Sequence, residues 1–203
     1  MSGLRERQKE ERRARICDVA VALFNQQGFH GTRLEDIAAA ASLSVPTVCK
    51  YFPSKQTILL ELIRLADQDA LKEASSLIDM DAELVDVMCQ LEAIIIKQSL
   101  EVMSPALWRE VLPLLIFSPE KSLPEAFRNM NHRLVKGIHE FLAELQRRGR
   151  LRADAEIEFA AFMLNDYSHL QFSRLVANDE LDMDKHRAEV RKMTTLILYG
   201  MAI

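Results

Sequence analysis

Between Gly28 and Lys55 the sequence sets helix stops and starts so close together that only very short helices fit between them. Gly28 can end a preceding helix in the left-handed conformation, with Phe29 folding back behind it. Thr32 stands three residues before Glu35, the spacing of a capping box, so a second helix is expected to open at Thr32. Leu34, Ile37, Ala38 and Ala41 give it one apolar face. Ser42 and Leu43 form the next turn, and Ser44 caps a third helix through Tyr51. Pro46 is tolerated there because the first turn needs no amide donor. Pro53 then breaks the chain, and Ser54 caps a longer helix reaching Leu77.

The flanking segments extend this helical pattern. A first helix is expected from Arg5 to Gln27, burying Ile16, Ala20, Leu23 and Phe24. Beyond Met80 come helices over 83–103, from Ser104-Pro105 with Pro113 as a kink, over 124–148 ending at Gly149, over 154–176, and from Lys185 onward. The 124–148 helix carries Phe127, Met130, Leu134, Ile138, Phe141 and Leu145 on one stripe. No strand-like alternation, internal repeat or low-complexity stretch interrupts them. With only six Gly and six Pro in 203 residues, propensity favours the same answer. The expected fold is all-α: an N-terminal helix-turn-helix unit over 1–53 and a larger helical domain over 54–203.

Charge is divided between these parts. Through Ile58 there are nine Lys or Arg against six Asp or Glu, whereas the remainder carries 17 against 24. A basic end on an acidic body suits a protein that meets phosphate at one end, although a solvated basic helix would show the same balance. Cys17, Cys49 and Cys89 are odd in number and lack metal-ligand spacing, which fits a reducing, cytoplasmic compartment. Cys49 reads as a small hydrophobe. No apolar run is long enough to span a bilayer, so no membrane partner is expected.

Two short helices joined by a tight turn make a helix-turn-helix, whose second helix can enter the major groove of DNA. The stretch from Gly28 to Leu60 resembles the DNA-binding domain of the tetracycline-repressor (TetR) family. The resemblance rests on Gly28-Phe29, Thr32, Asp36-Ile37-Ala38, Ala41, Ser44, Thr47, Tyr51-Phe52 and Ser54-Lys55. It covers about a quarter of the chain. Pro46, Cys49 and Ser42 depart from the Gly, Tyr and Gly common in the family, which unsettles transfer of base contacts. The resemblance implies a repressor that binds a double-stranded operator as a homodimer and is released by a small-molecule inducer. Thr47, Tyr51 and Lys55 would contact or position phosphates, Thr32 and Arg33 would add backbone contacts, and Val45, Pro46 and Lys50 would follow Ser44 toward the bases. Structural alternatives exist: Thr47 could satisfy its own turn and Tyr51 could be partly core. Arg12, Arg13 and Arg15 could reach phosphates as an arm or be a solvated helix start.

The same resemblance implies ligand-binding and dimerisation roles for the larger domain. Within it, Gln98, Asn131 and Asp166 interrupt or flank apolar stripes, as a few polar groups in an apolar pocket would. Each could equally lie at a stripe edge in water or in a mutual hydrogen bond. With Trp108 and Phe162 they make the candidate ligand site, and the aromatic residues Trp108, Phe117, Phe141 and Phe162 point to an apolar ligand. Val190, Met193, Ile197 and Met201 form one apolar side of the last helix and Leu196, Tyr199 and Ile203 another, with Gly200 permitting close approach. A helix apolar on two sides must bury both, against its own body and a partner, and the family resemblance implies that the last two helices form the dimer contact. The five histidines show no metal spacing, and no nucleophile elbow, phosphate loop or dinucleotide fingerprint occurs. No enzyme, metal or cofactor is therefore expected. An architectural or partner-binding helical dimer without an inducer is the alternative.

Overall fold

The computed structural model describes residues 2–117 and 122–199. All nine elements among the described residues are α-helices: α1 Ser2–Gln27, α2 Leu34–Ala40, α3 Val45–Tyr51, α4 Lys55–Leu77, α5 Leu84–Val102, α6 Pro105–Phe117, α7 Ser122–Arg147, α8 Ile157–Val176 and α9 Met183–Tyr199. No helix among the described residues is long and apolar enough to cross a membrane. The Phe117 side chain, Gly200, Met201 and Ile203 lie outside the described side chains.

The punctuation around α2 and α3 is realised in hydrogen bonds. Gly28 adopts φ +80° and closes α1. Ser42 takes φ +55°, and Leu43 and Ser42 donate to the Ala38 and Ala39 carbonyls, a left-handed stop that leaves only two residues before α3. The Ser44 hydroxyl accepts from Thr47 N–H at 3.3 Å, and the Ser54 hydroxyl from Thr57 N–H at 3.3 Å. At the far end of α7, Gly149 at φ +71° lets Arg150 and Gly149 donate back to Leu145 and Gln146.

Several boundaries differ from the sequence expectation, with α1 starting at Ser2 rather than Arg5 and α7 at Ser122 rather than Pro124. The cap of α2 is Arg33, whose N–H is accepted by Asp36 at 2.9 Å, because Thr32 points inward and donates its hydroxyl to the Gly28 carbonyl at 2.8 Å. Helix α8 starts at Ile157, not Asp154, since residues before it form turns in which Ala155 N–H bonds the Arg152 carbonyl. Gln146 Nε2 holds that turn down by donating to the Arg152 carbonyl at 2.9 Å. Helix α9 starts earlier, at Met183, because Asp182 accepts from Lys185 N–H at 2.9 Å. Pro113 sits inside α6, which continues to Phe117.

Packing follows two cores. One joins Ile16, Phe24, Phe29, Ile37, Val48 and Phe52 to Ile58, Leu59, Leu62 and Ile63 of α4, and then to Trp108, Leu115 and Phe172. The other lies among α4, α5, α7, α8 and α9 and includes Met88, Leu91, Leu134, Leu142, Leu145 and Leu198. The helix-turn-helix therefore rests on apolar side chains that continue into the larger body.

Candidate nucleic-acid interface and ligand cavity

Helix α3 is anchored from below by fully buried Val48, while Ser44, Pro46 and Lys50 face solvent. Arg33, at the cap of α2, is also exposed. Val45 and Tyr51 are half-buried and pack on the first core. Thr47 is half-buried, and its hydroxyl lies 2.8 Å from that of Ser44. The outward face thus offers one cation, one hydroxyl and the Pro46 ring at the start of a helix of groove-entering size.

Two residues expected at phosphate are turned toward the protein instead. Thr32 is fully buried, and its hydroxyl both donates to Gly28 and accepts from Gln27 Nε2 at 3.3 Å, so a side-chain phosphate contact is not open to it. Lys55 Nζ donates to the carbonyls of Phe29 at 2.6 Å and Thr32 at 3.0 Å, and lies 4.6 Å from the Phe29 ring centre. Burial pulls its ammonium below the usual lysine range, against the opposing pull of Glu110. Arg13 is likewise structural. It donates to Glu61 at 3.0 Å and stacks over Phe52 at 4.4 Å. Burial pushes the Glu61 carboxyl up, but bonds from Arg64 and Arg13 outweigh it and hold the group down to about 2.

The loop that Lys55 grips from α4 is gripped from α6 as well. Glu110 accepts from Phe29 N–H at 3.0 Å and His30 N–H at 2.6 Å. Gly28 makes this approach possible, because a Cβ there would lie 2.9 Å from Glu110 Oε2. Asn25 adds a third tie, donating to the Val102 carbonyl at 3.2 Å and accepting from Ser104 N–H at 2.8 Å.

Behind α6 lies a cavity of about 570 Å³ lined by residues of α4 to α9. Its walls are mostly apolar, including Ile63, Met88, Leu91, Ile95, Leu134 and Phe172. Of the five residues expected to contact ligand, Trp108, Asn131 and Asp166 line it. Trp108 spends its indole N–H on the Ser99 carbonyl at 3.0 Å, and Asn131 accepts from Asn165 at 3.2 Å. Asp166 is exposed at the rim. Gln98 is outside the cavity, donating to Glu73 at 2.6 Å in a bond between α5 and α4. Phe162 is also outside, 46% exposed on the outer face of α8, because the turns before Ile157 and the packing of Ala160 and Ala161 fix the opposite face inward.

Two acidic groups of the cavity went unsuspected. Asp67 comes from α4, where Ile63, Ala66, Ala70 and Ala74 mark the buried stripe and an acid four residues after Ile63 interrupts it. That interruption was readable by the same periodicity. Glu92 comes from α5 and gathers partners no spacing rule could pair: Ser168 donates to it at 3.0 Å, and buried His186 lies 2.9 Å away through Nε2. Burial pushes the Asp67 carboxyl up to about 7 and holds the His169 imidazole below its usual range against a weaker pull from Asp166.

Comparison with known proteins places this geometry. Residues 16–62 match the model of bacterial regulatory proteins, tetR family. The regulator RutR of Escherichia coli K12 is 40% identical over 63 residues, which is 31% of this chain and 30% of RutR. The repressor KstR of Rhodococcus jostii RHA1 is 34% identical over 55 residues, 27% of this chain and 26% of KstR. The chain thus spans under a third of the length of these curated relatives. Across 94% of this chain and 95% of the other, it superposes on Thermus thermophilus FadR, a transcriptional repressor solved in complex with lauroyl-CoA, with TM-score 0.72 and 26% identity. Residues 16–62 thus match the tetR-family DNA-binding region in sequence, and the whole helical chain matches Thermus thermophilus FadR in layout.

Proposed function

We propose that the chain is a dimeric repressor whose residues 1–53 hold operator DNA and whose residues 54–203 bind the releasing ligand and the second copy. One observation carries the reading. Ile63, Trp108, Leu115 and Phe172 wall the cavity and also belong to the buried core that supports α3. A ligand that moves those walls has a packed route to the groove-reading helix, and it shifts DNA affinity by its differential affinity for the two arrangements. FadR, similar in layout and solved with lauroyl-CoA, supports a small ligand in such a body. In this reading Ser44, Val45, Pro46 and Lys50 approach bases, and Arg33, Thr47 and Tyr51 approach the backbone. Trp108, Asn131 and Asp166 face the ligand.

A second copy would cover Phe159, Phe162, Met163, Leu170, Leu196 and Tyr199, which are large, apolar and exposed on α8 and α9. Unpartnered surfaces of this kind mark interaction sites. The alternative, an architectural dimer, assigns the cavity no task. A mobility-shift assay on DNA upstream of the chain's own coding sequence tests the proposal. A discrete complex, retained against excess random duplex and lost on adding cell metabolite extract, is expected. Equal affinity for random duplex would overturn operator recognition, and a complex unaffected by every extract would favour the architectural reading.

A further inference from the structure

We propose that the cavity takes a ligand with an apolar body and one protonated amine, seated with its ammonium group against Asp67. This rests on the ligand-binding reading of the larger domain and adds the chemical class of the ligand.

The cavity, about 570 Å³, is of ordinary small-molecule size, and its hydrocarbon walls suit an aliphatic or aromatic body. Its charged groups are unbalanced. Asp67 on α4, Glu92 on α5 and Asp166 on α8 are acids, against Arg128 on α7. His169 on α8 is held toward its neutral form by burial, and the Tyr167 phenol also lines the cavity. The walls from α6 and α9 contribute no charged group among the described residues. One oxygen of Glu92 is already engaged by Ser168 and His186. Asp67 differs: burial alone acts on its carboxyl, and no hydrogen bond or ion pair reaches it among the described residues.

An acid in an apolar wall without a partner is costly when ionised. A ligand ammonium removes that cost by forming a charge-assisted bond, whereas a ligand carboxylate would face three acids against the single Arg128 among the described residues. Asp67 also lies one turn beyond Ile63, which is in the core beneath α1 and α3, so an ammonium there pulls on the helix that joins the two parts.

The full chain is titrated, without DNA, with decylamine, decanoate and decanol at concentrations where each is monomeric. Binding is read by calorimetry and by fluorescence of Trp108, the single tryptophan, which lines the cavity. Decylamine is expected to bind at least about tenfold more tightly than decanoate. Asp67→Asn should remove about tenfold of the amine affinity and leave decanol within about twofold, which also reports that the variant is folded. With the Asp67 carboxyl near 7, amine binding at pH 7 should release about half a proton, and the Asp67→Asn variant none. Decanoate binding as tightly as decylamine, an amine affinity indifferent to Asp67→Asn, or no probe binding at all would each overturn the proposal. Adding operator DNA separates the two readings. Amine bound on Asp67 without DNA release would leave the amine site standing and overturn ligand-controlled release. Release by decanol or decanoate without amine preference would do the reverse.

Discussion

At the residue scale, two side chains have chemistry that only their surroundings explain. Lys55 is a cation at a position where the family resemblance implies a phosphate contact, yet its Nζ is shared among the carbonyls of a single loop. Lys55→Met keeps the stem and removes the donors, so thermal unfolding is expected to show a loss of about 1–3 kcal/mol. The slope of operator affinity against salt should hold; a slope smaller by about one unit would instead put Nζ on a phosphate. Asp67 carries the opposite sign of effect. Below about pH 4 the acid is protonated in both folded and unfolded chains and costs nothing. As pH rises from there through about 7, the unfolded chain ionises first, and stability is progressively lost. Asp67→Asn should therefore raise the melting temperature more at pH 8 than at pH 4.5, by up to about 4 kcal/mol in stability. Equal gains at both pH values would show that the carboxyl is solvated in the folded chain.

At the element scale, the relation of α6 to the loop after α1 is the feature with most consequence. Trp108 and Leu115 of α6 face the cavity, and Glu110, on the same helix, holds the amides of Phe29 and His30. A shift of α6 on ligand binding would reach the loop through two hydrogen bonds rather than through bending of a long helix. Glu110→Ala is expected to leave ligand affinity within about twofold while weakening the ligand's effect on operator binding, part of a coupling of about 1–3 kcal/mol. Mobility shifts across a ligand titration measure this. Full retention of the ligand effect would assign coupling to α4 alone. Gly28→Ala tests the same contact by steric means. Its φ of +80° and the 2.9 Å approach to Glu110 predict a loss of about 1–2 kcal/mol in thermal unfolding.

At the scale of the whole molecule, the uncovered apolar faces of α8 and α9 predict association. Sedimentation at micromolar concentration, without DNA, is expected to give about twice the 23.2 kDa chain mass. Leu196→Asp combined with Tyr199→Asp should return a folded monomer, since both side chains are more than two-thirds exposed in the single chain. A wild-type monomer would remove the proposed interface. Helix limits at Tyr51, Leu77 and Gly149 were legible because caps, prolines and left-handed stops act on neighbours a few residues away. So were the helix-turn-helix and the inward stripe of α7, whose periodicity reports a buried face without naming what covers it. The inward turn of Thr32 and the grip of Lys55 were not, since each depends on a loop placed by contacts with distant segments. Neither was the displacement of Phe162 to the outside, nor the meeting of Glu92 with His186, 94 positions apart. By itself the sequence determined an all-helical chain with a groove-sized reading helix, because those signals are local. Which polar groups face one another in the cavity, and which cations stay exposed, was decided by tertiary packing, because burial and partner choice depend on neighbours that local spacing does not specify.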